Sequence, residues 1–122
     1  MKRNLQILIL MVVLNIIFGC LASVAAQKVG GFTKISKTDE VALEAADFAV
    51  EAKSKKDETT FTLVSLDKAE RQTVAGTNYR LCLSVKDAEE NEKTVLVVVY
   101  RNLQKVFSLT SWKEEECSDD ED

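Results

Sequence analysis

The chain has 122 residues, no histidine and no proline, and carries 16 basic against 20 acidic side chains for a net charge of −4. Without histidine, Ser-His and Cys-His nucleophile pairs, imidazole acid–base catalysis and most zinc sites are all excluded, so the reading is no enzyme, no cofactor and no metal. The acidic balance also argues against a nucleic-acid partner, because phosphate binding requires a basic surface.

The first 26 residues differ in kind from the rest. Lys2 and Arg3 open the chain, Leu5 to Leu21 is apolar except for Gln6, Asn15, Gly19 and Cys20, and the small residues of LASVAA follow. This is the pattern of a secretory signal, expected over residues 1–26, with cleavage before or after Ala26. The apolar run is just short of a comfortable membrane span, so no membrane association is expected after cleavage. Loss of Lys2 and Arg3 leaves 14 basic against 20 acidic residues, a net charge of −6. The expected product is secreted, to the extracellular space, the secretory pathway or a vacuole. It comprises one domain over 27–113 and an acidic, disordered tail over 114–122, within KEEECSDDED.

A Gly30-Gly31 pair lies near the new N-terminus. KTDEVALEAADFAVEAKSKK then reads as a helix, with Thr38 as N-cap and Asp39 and Glu40 in the first turn. Glu40, Glu44, Asp47 and Glu51 share one arc, while Val41, Ala42, Ala45, Ala46, Phe48, Ala49 and Ala52 cover the other side. Everything after it reads as strand. TTFTLVSLDKAERQTV slips its alternation near Val64, which suggests a bulge, and TNYRLCLSVK, KTVLVVVYRN and KVFSLTSW follow. One helix followed by consecutive strands on short connections predicts an α+β fold, with the helix packed across a four- to five-stranded antiparallel sheet. Gly76 interrupts the strand pattern at a small, uncharged tip, where glycine permits a hairpin turn.

Three features together resemble the cystatins, protein inhibitors of papain-like cysteine proteases. QTVAG, Gln72 to Gly76, fits the family's Gln-x-Val-x-Gly hairpin at every fixed position. Gly30 and Gly31 fit its N-terminal glycine, and AADFAVEA, Ala45 to Ala52, is similar to the Leu-Ala-Arg-Phe-Ala-Val helix segment of plant members. The likeness runs from about Val29 to Lys113. It implies reversible, competitive inhibition by a wedge that fills the protease cleft and does no chemistry. On that implication the protease-binding residues are Val29, Gly30 and Gly31 of the N-terminal segment and Gln72, Thr73, Val74, Ala75 and Gly76 of the first hairpin. Val29 would be the apolar anchor, and the glycines would turn the chain away from the nucleophile. The partners implied are papain-like, cathepsin-like cysteine proteases.

The chain departs from the family at the second hairpin, which usually carries Pro-Trp. RNLQK, Arg101 to Lys105, stands there, with Leu103 to supply apolar contact, while Trp112 falls in the last strand as a packing residue. That departure keeps open an alternative, a non-inhibitory cystatin-fold binding or storage protein. A monomer is expected, with exchange of the two long strands as the route to a dimer. Of the secreted form's cysteines, Cys82 alternates with Leu81 and Leu83 and so falls on the polar face. Cys117 follows a strand two positions away. Two steps of about 4.8 Å exceed the Cα separation that a disulfide tolerates, so separate thiols are favoured over a bridge, unless a flexible tail closes the gap.

Overall fold

The computed structural model describes residues 31–117, so the expected signal segment, Val29, Gly30 and residues 118–122 lie outside the described residues. The elements are β1 (Thr33–Ile35), α1 (Glu40–Asp57), β2 (Thr62–Val74), β3 (Gly76–Lys86), β4 (Glu92–Arg101) and β5 (Phe107–Glu114). The strands form one antiparallel sheet in the order β1-β2-β3-β4-β5, with α1 across one face. The chain thus adopts the α+β architecture that its pattern predicts.

The helix packs close because its buried side is nearly all alanine. Ala42, Ala45, Ala46 and Ala49 have no exposed surface, and Val50 completes the stripe at i, i+3, i+4, i+7 and i+8. Opposite them lie Ala69, Leu81, Leu83, Val85, Val95, Val97 and Val99, all fully buried, with Tyr79 and Leu66 at the margins. Trp112 packs on this core beside Phe61, ring centroids 5.4 Å apart, as a sheet-packing residue should.

One local expectation is corrected and another is borne out and extended. The helix N-cap is Asp39, whose carboxylate accepts the Ala42 N–H at 3.0 Å, while the Thr38 hydroxyl is hydrogen-bonded to the Ser36 hydroxyl at 2.7 Å and caps nothing. In β2 the register slips at Val64, as read, and a second time at Asp67. The Asp67 carboxylate accepts the hydroxyls of Ser65 and Ser84, each at 2.6 Å, which holds that second irregularity.

The cysteine expectation is overturned. Cys82 and Cys117 form a disulfide with Cα atoms 6.0 Å apart, inside the normal range. β5 ends at Glu114, opposite Val95 of β4, and the three residues beyond it lead back across β4 to β3. Strand spacing is therefore not the distance the bridge must cover. Cys82 lies on the face away from α1, yet is only 4% exposed. The expected free tail is, as far as Cys117, tied to the sheet, and the boundary drawn at residue 113 falls one residue inside β5.

Candidate functional site

The pairing registers bring three segments to one end of the sheet. Val74 pairs with Gly76 around Ala75, making the tip of the β2–β3 hairpin. Thr77 pairs with Arg101, and Arg101 with Phe107, so the β4–β5 turn lies beside that tip. Thr33 pairs with Arg71, so the chain before β1 leaves at the same end. Gly31, Gln72, Thr73, Val74, Ala75, Gly76 and Leu103 are thus gathered along one edge, while Val29 and Gly30 lie outside the described residues.

The first hairpin is braced from both sides. Gln72 stands opposite Asn78, whose side-chain amide donates to the Gln72 carboxamide oxygen at 3.0 Å, two pairs below the tip. From β4, the Tyr100 hydroxyl donates to the Ala75 carbonyl. Gly76 has φ +101°, and a Cβ there would come within 2.6 Å of the Arg101 carbonyl oxygen and 2.7 Å of the Tyr100 hydroxyl. Its lack of a side chain is therefore demanded by the fold, through the left-handed backbone and the close approach of β4. Thr73 and Ala75 are exposed, and Val74 is half-buried. Gly31 differs: a Cβ there would meet nothing within 4 Å, so no contact in the fold requires it.

The second hairpin turns on Asn102. Its side-chain oxygen accepts the Gln104 and Val106 N–H groups, both at 2.9 Å, and its carbonyl accepts the Lys105 N–H at 2.9 Å. Lys105 takes a positive φ of 66° to close the turn. An Asx-type turn needs no proline. It leaves Leu103 at 72% and Val106 at 58% exposure, two apolar side chains offered to solvent. Val106 and Tyr100 do not stand out in the sequence. Tyr100 could have been noticed as a large side chain alternating onto the face of Asn78, but its partner is 25 residues away.

The described residues contain no group of His, Cys, Asp or Glu able to hold a metal ion. What the edge offers is a backbone-rich ridge, with small side chains at the first hairpin tip and the exposed Leu103, Lys105 and Val106 at the second, braced before any partner arrives.

Comparison with known proteins finds similarity to inhibitors named for two proteinase classes. A family model described as "Aspartic acid proteinase inhibitor" matches residues 35–115. The chain is 35% identical over 91 residues to Cysteine proteinase inhibitor 5 of Arabidopsis thaliana, covering 73% of this chain and 75% of that one. It is also 35% identical over 105 residues to Salivary cystatin-L2 of Ixodes scapularis, covering 69% and 80%. Among solved structures, the salivary cystatin of the soft tick Ornithodoros moubata superposes with a TM-score of 0.62 at 28% identity, over 73% of this chain and all of that one.

Proposed function

The chain belongs to the cystatin family, and from that premise we propose that it is a secreted, reversible, competitive inhibitor of papain-like cysteine proteases. It is a proteinase inhibitor rather than an enzyme. The observation that carries the finer reading is the convergence of Gly31, the Gln72–Gly76 hairpin and the Asn102–Val106 turn on one braced edge. Because that edge is pre-formed, little ordering entropy opposes its entry into a cleft, and an interface of about 800 Å² per partner is expected. Val29 and Gly30 would extend it along the non-primed side. The Leu103 and Val106 side chains stand in for the missing Pro-Trp contact.

Secretion is supported by the N-terminal pattern and by the salivary naming of tick relatives. The inhibitor acts as a monomer; strand exchange through the Gln72–Gly76 tip would straighten it and abolish the edge.

A second reading, inhibition of an aspartic proteinase, is favoured by the printed description of the matching family model. One experiment separates the two. The full chain, expressed through a secretory host, is titrated against active-site-quantified papain and pepsin, beside an Ala75→Asp variant. Stoichiometric, reversible inhibition of papain, weakened about a hundredfold by the buried unpaired carboxylate at unchanged melting temperature, is the expected result. Inhibition of pepsin alone would install the second reading. A folded monomer inhibiting neither would leave the non-inhibitory alternative.

A further inference from the structure

We propose that Phe32, clamped against the Arg80 guanidinium, is the positioning residue that fixes where the N-terminal segment enters the protease cleft; this rests on the wedge reading above. The clamp is built on the face of the sheet away from α1. Arg80 lies opposite Glu70 and is bound to it by two hydrogen bonds, Nε to Oε1 at 2.9 Å and an Nη to Oε2 at 3.1 Å. This fork holds the guanidinium plane in a fixed orientation. The Phe32 ring lies with its centroid 4.1 Å from Arg80 Cζ, well inside cation–π range.

The burial pattern agrees with an anchor. Phe32 is half-buried, whereas Gly31 before it and Thr33 and Lys34 after it are exposed. β1 itself is only three residues long and pairs only with β2, so by itself it sets the direction of the preceding chain weakly. Among the described residues, Phe32 is the side chain that ties down the approach to the edge. From Phe32 to Val29 is three residues, a reach of no more than about 11 Å fully extended. Where the ring sits therefore bounds where Val29 can go. The glycines between them supply freedom to turn, and the clamp limits how much of that freedom survives. A Cβ at Gly31 would meet nothing within 4 Å, so of the described residues on this approach it is Phe32 that supplies the side-chain contact.

The test is a double-substitution cycle in the full chain secreted from a host cell, read as the inhibition constant against papain. Phe32→Ala is expected to weaken inhibition about tenfold, mainly through faster dissociation, and Phe32→Tyr, which keeps the ring face, to stay within about twofold of wild type. In a Val29→Asp background, where the anchor is already lost, Phe32→Ala should change inhibition by less than about twofold. Arg80→Met is expected to reproduce the Phe32→Ala effect and the same coupling. Equal weakening by Phe32→Ala in both backgrounds, as general loss of fold would produce, would overturn the inference. So would a Phe32→Ala chain that inhibits like wild type. If the wild-type chain itself leaves papain untouched, the failure lies with the wedge reading and shows in that first titration.

Discussion

Tyr100, near the end of β4, donates its hydroxyl hydrogen bond to the carbonyl of Ala75, at the apex of the β2–β3 hairpin. The tip of the candidate edge is thus held by a strand that is not part of its hairpin. The Asn78–Gln72 bond locks the same hairpin from within. Gln72 of the QTVAG motif therefore has a task inside the protein, whatever it meets outside.

Removing that brace is the first prediction. Tyr100→Phe keeps the ring and deletes the hydroxyl, so stability should fall by about 1 kcal/mol, the usual net worth of one hydrogen bond. Affinity for papain should fall several-fold, because the tip would have to be ordered on binding. Urea denaturation and inhibition titration check the two parts separately. A stability loss with unchanged inhibition would show that the tip needs no outside support.

Gly76 gives a sharper expectation. With φ at +101° and the Arg101 carbonyl 2.6 Å from an added Cβ, Gly76→Ala should destabilise the domain by roughly 2–3 kcal/mol. Gly31→Ala, where the space is open, should leave the unfolding midpoint unchanged. Any loss of inhibition in Gly31→Ala would then belong to the partner's surface. In Gly76→Ala it would be inseparable from the fold, which makes Ala75 the cleaner probe of the tip.

Much of this was legible from composition and spacing. The alanine stripe identified the buried face of the helix, and the glycine-broken alternation identified the first hairpin. Less local features were not. Thr38 and Asp39 are both good caps, and the choice turns on the Thr38 hydroxyl, which pairs with the Ser36 hydroxyl and leaves the Ala42 N–H to Asp39. The slip at Asp67 depends on Ser84, from the neighbouring strand. The disulfide depends on where β5 stops and how three residues turn back, which strand spacing does not encode. At the edge, the meeting of the two hairpins came from the family resemblance and not from spacing, and the braces, Tyr100 and Phe32, act through partners far along the chain.

The second hairpin should matter for binding and not for folding. Leu103 is 72% exposed, and the turn is held by Asn102 without it. Leu103→Asp should therefore leave stability within about 0.5 kcal/mol of wild type. Inhibition of papain should weaken at least about tenfold, as expected for a carboxylate forced into an apolar contact. Asn102→Ala should do the reverse in part, costing stability by releasing two N–H groups. Thermal melts beside inhibition constants separate the two. An inhibition constant unchanged in Leu103→Asp would remove this turn from the interface.

The Cys82–Cys117 bridge closes a loop with a sequence separation of 35, which corresponds to about 4 kcal/mol on the chain-entropy model. The paired Cys82→Ala, Cys117→Ala chain should lose up to that amount in guanidinium unfolding. Cys82 sits opposite Leu96, mid-strand and away from both tips, so inhibition by the folded fraction should be unchanged. Active-site titration at low denaturant would show it. A change in the inhibition constant would mean that the tied tail reaches the edge.

At the opposite end of the sheet, Asp87 organises the β3–β4 turn and gives the molecule a specific acid response. Its carboxyl is held below the usual carboxylate value chiefly by the Asn91 backbone N–H, against a smaller opposing effect of burial, with help from the Glu89 N–H, the Asn91 side chain and Lys93. The Asn91 and Glu89 N–H groups donate to the same carboxylate oxygen, each at 2.9 Å. A depressed value in the folded state means that the ionised form favours folding. The contribution is fully present above the unfolded value, about 3.8–3.9, and is lost as the pH falls through the lower folded value. Asp87→Ala should therefore melt below wild type at pH 6, and the gap should close as the pH is lowered below about 4. A gap that persists unchanged at pH 2.5 would place Asp87's contribution in the shape of the turn rather than in its charge.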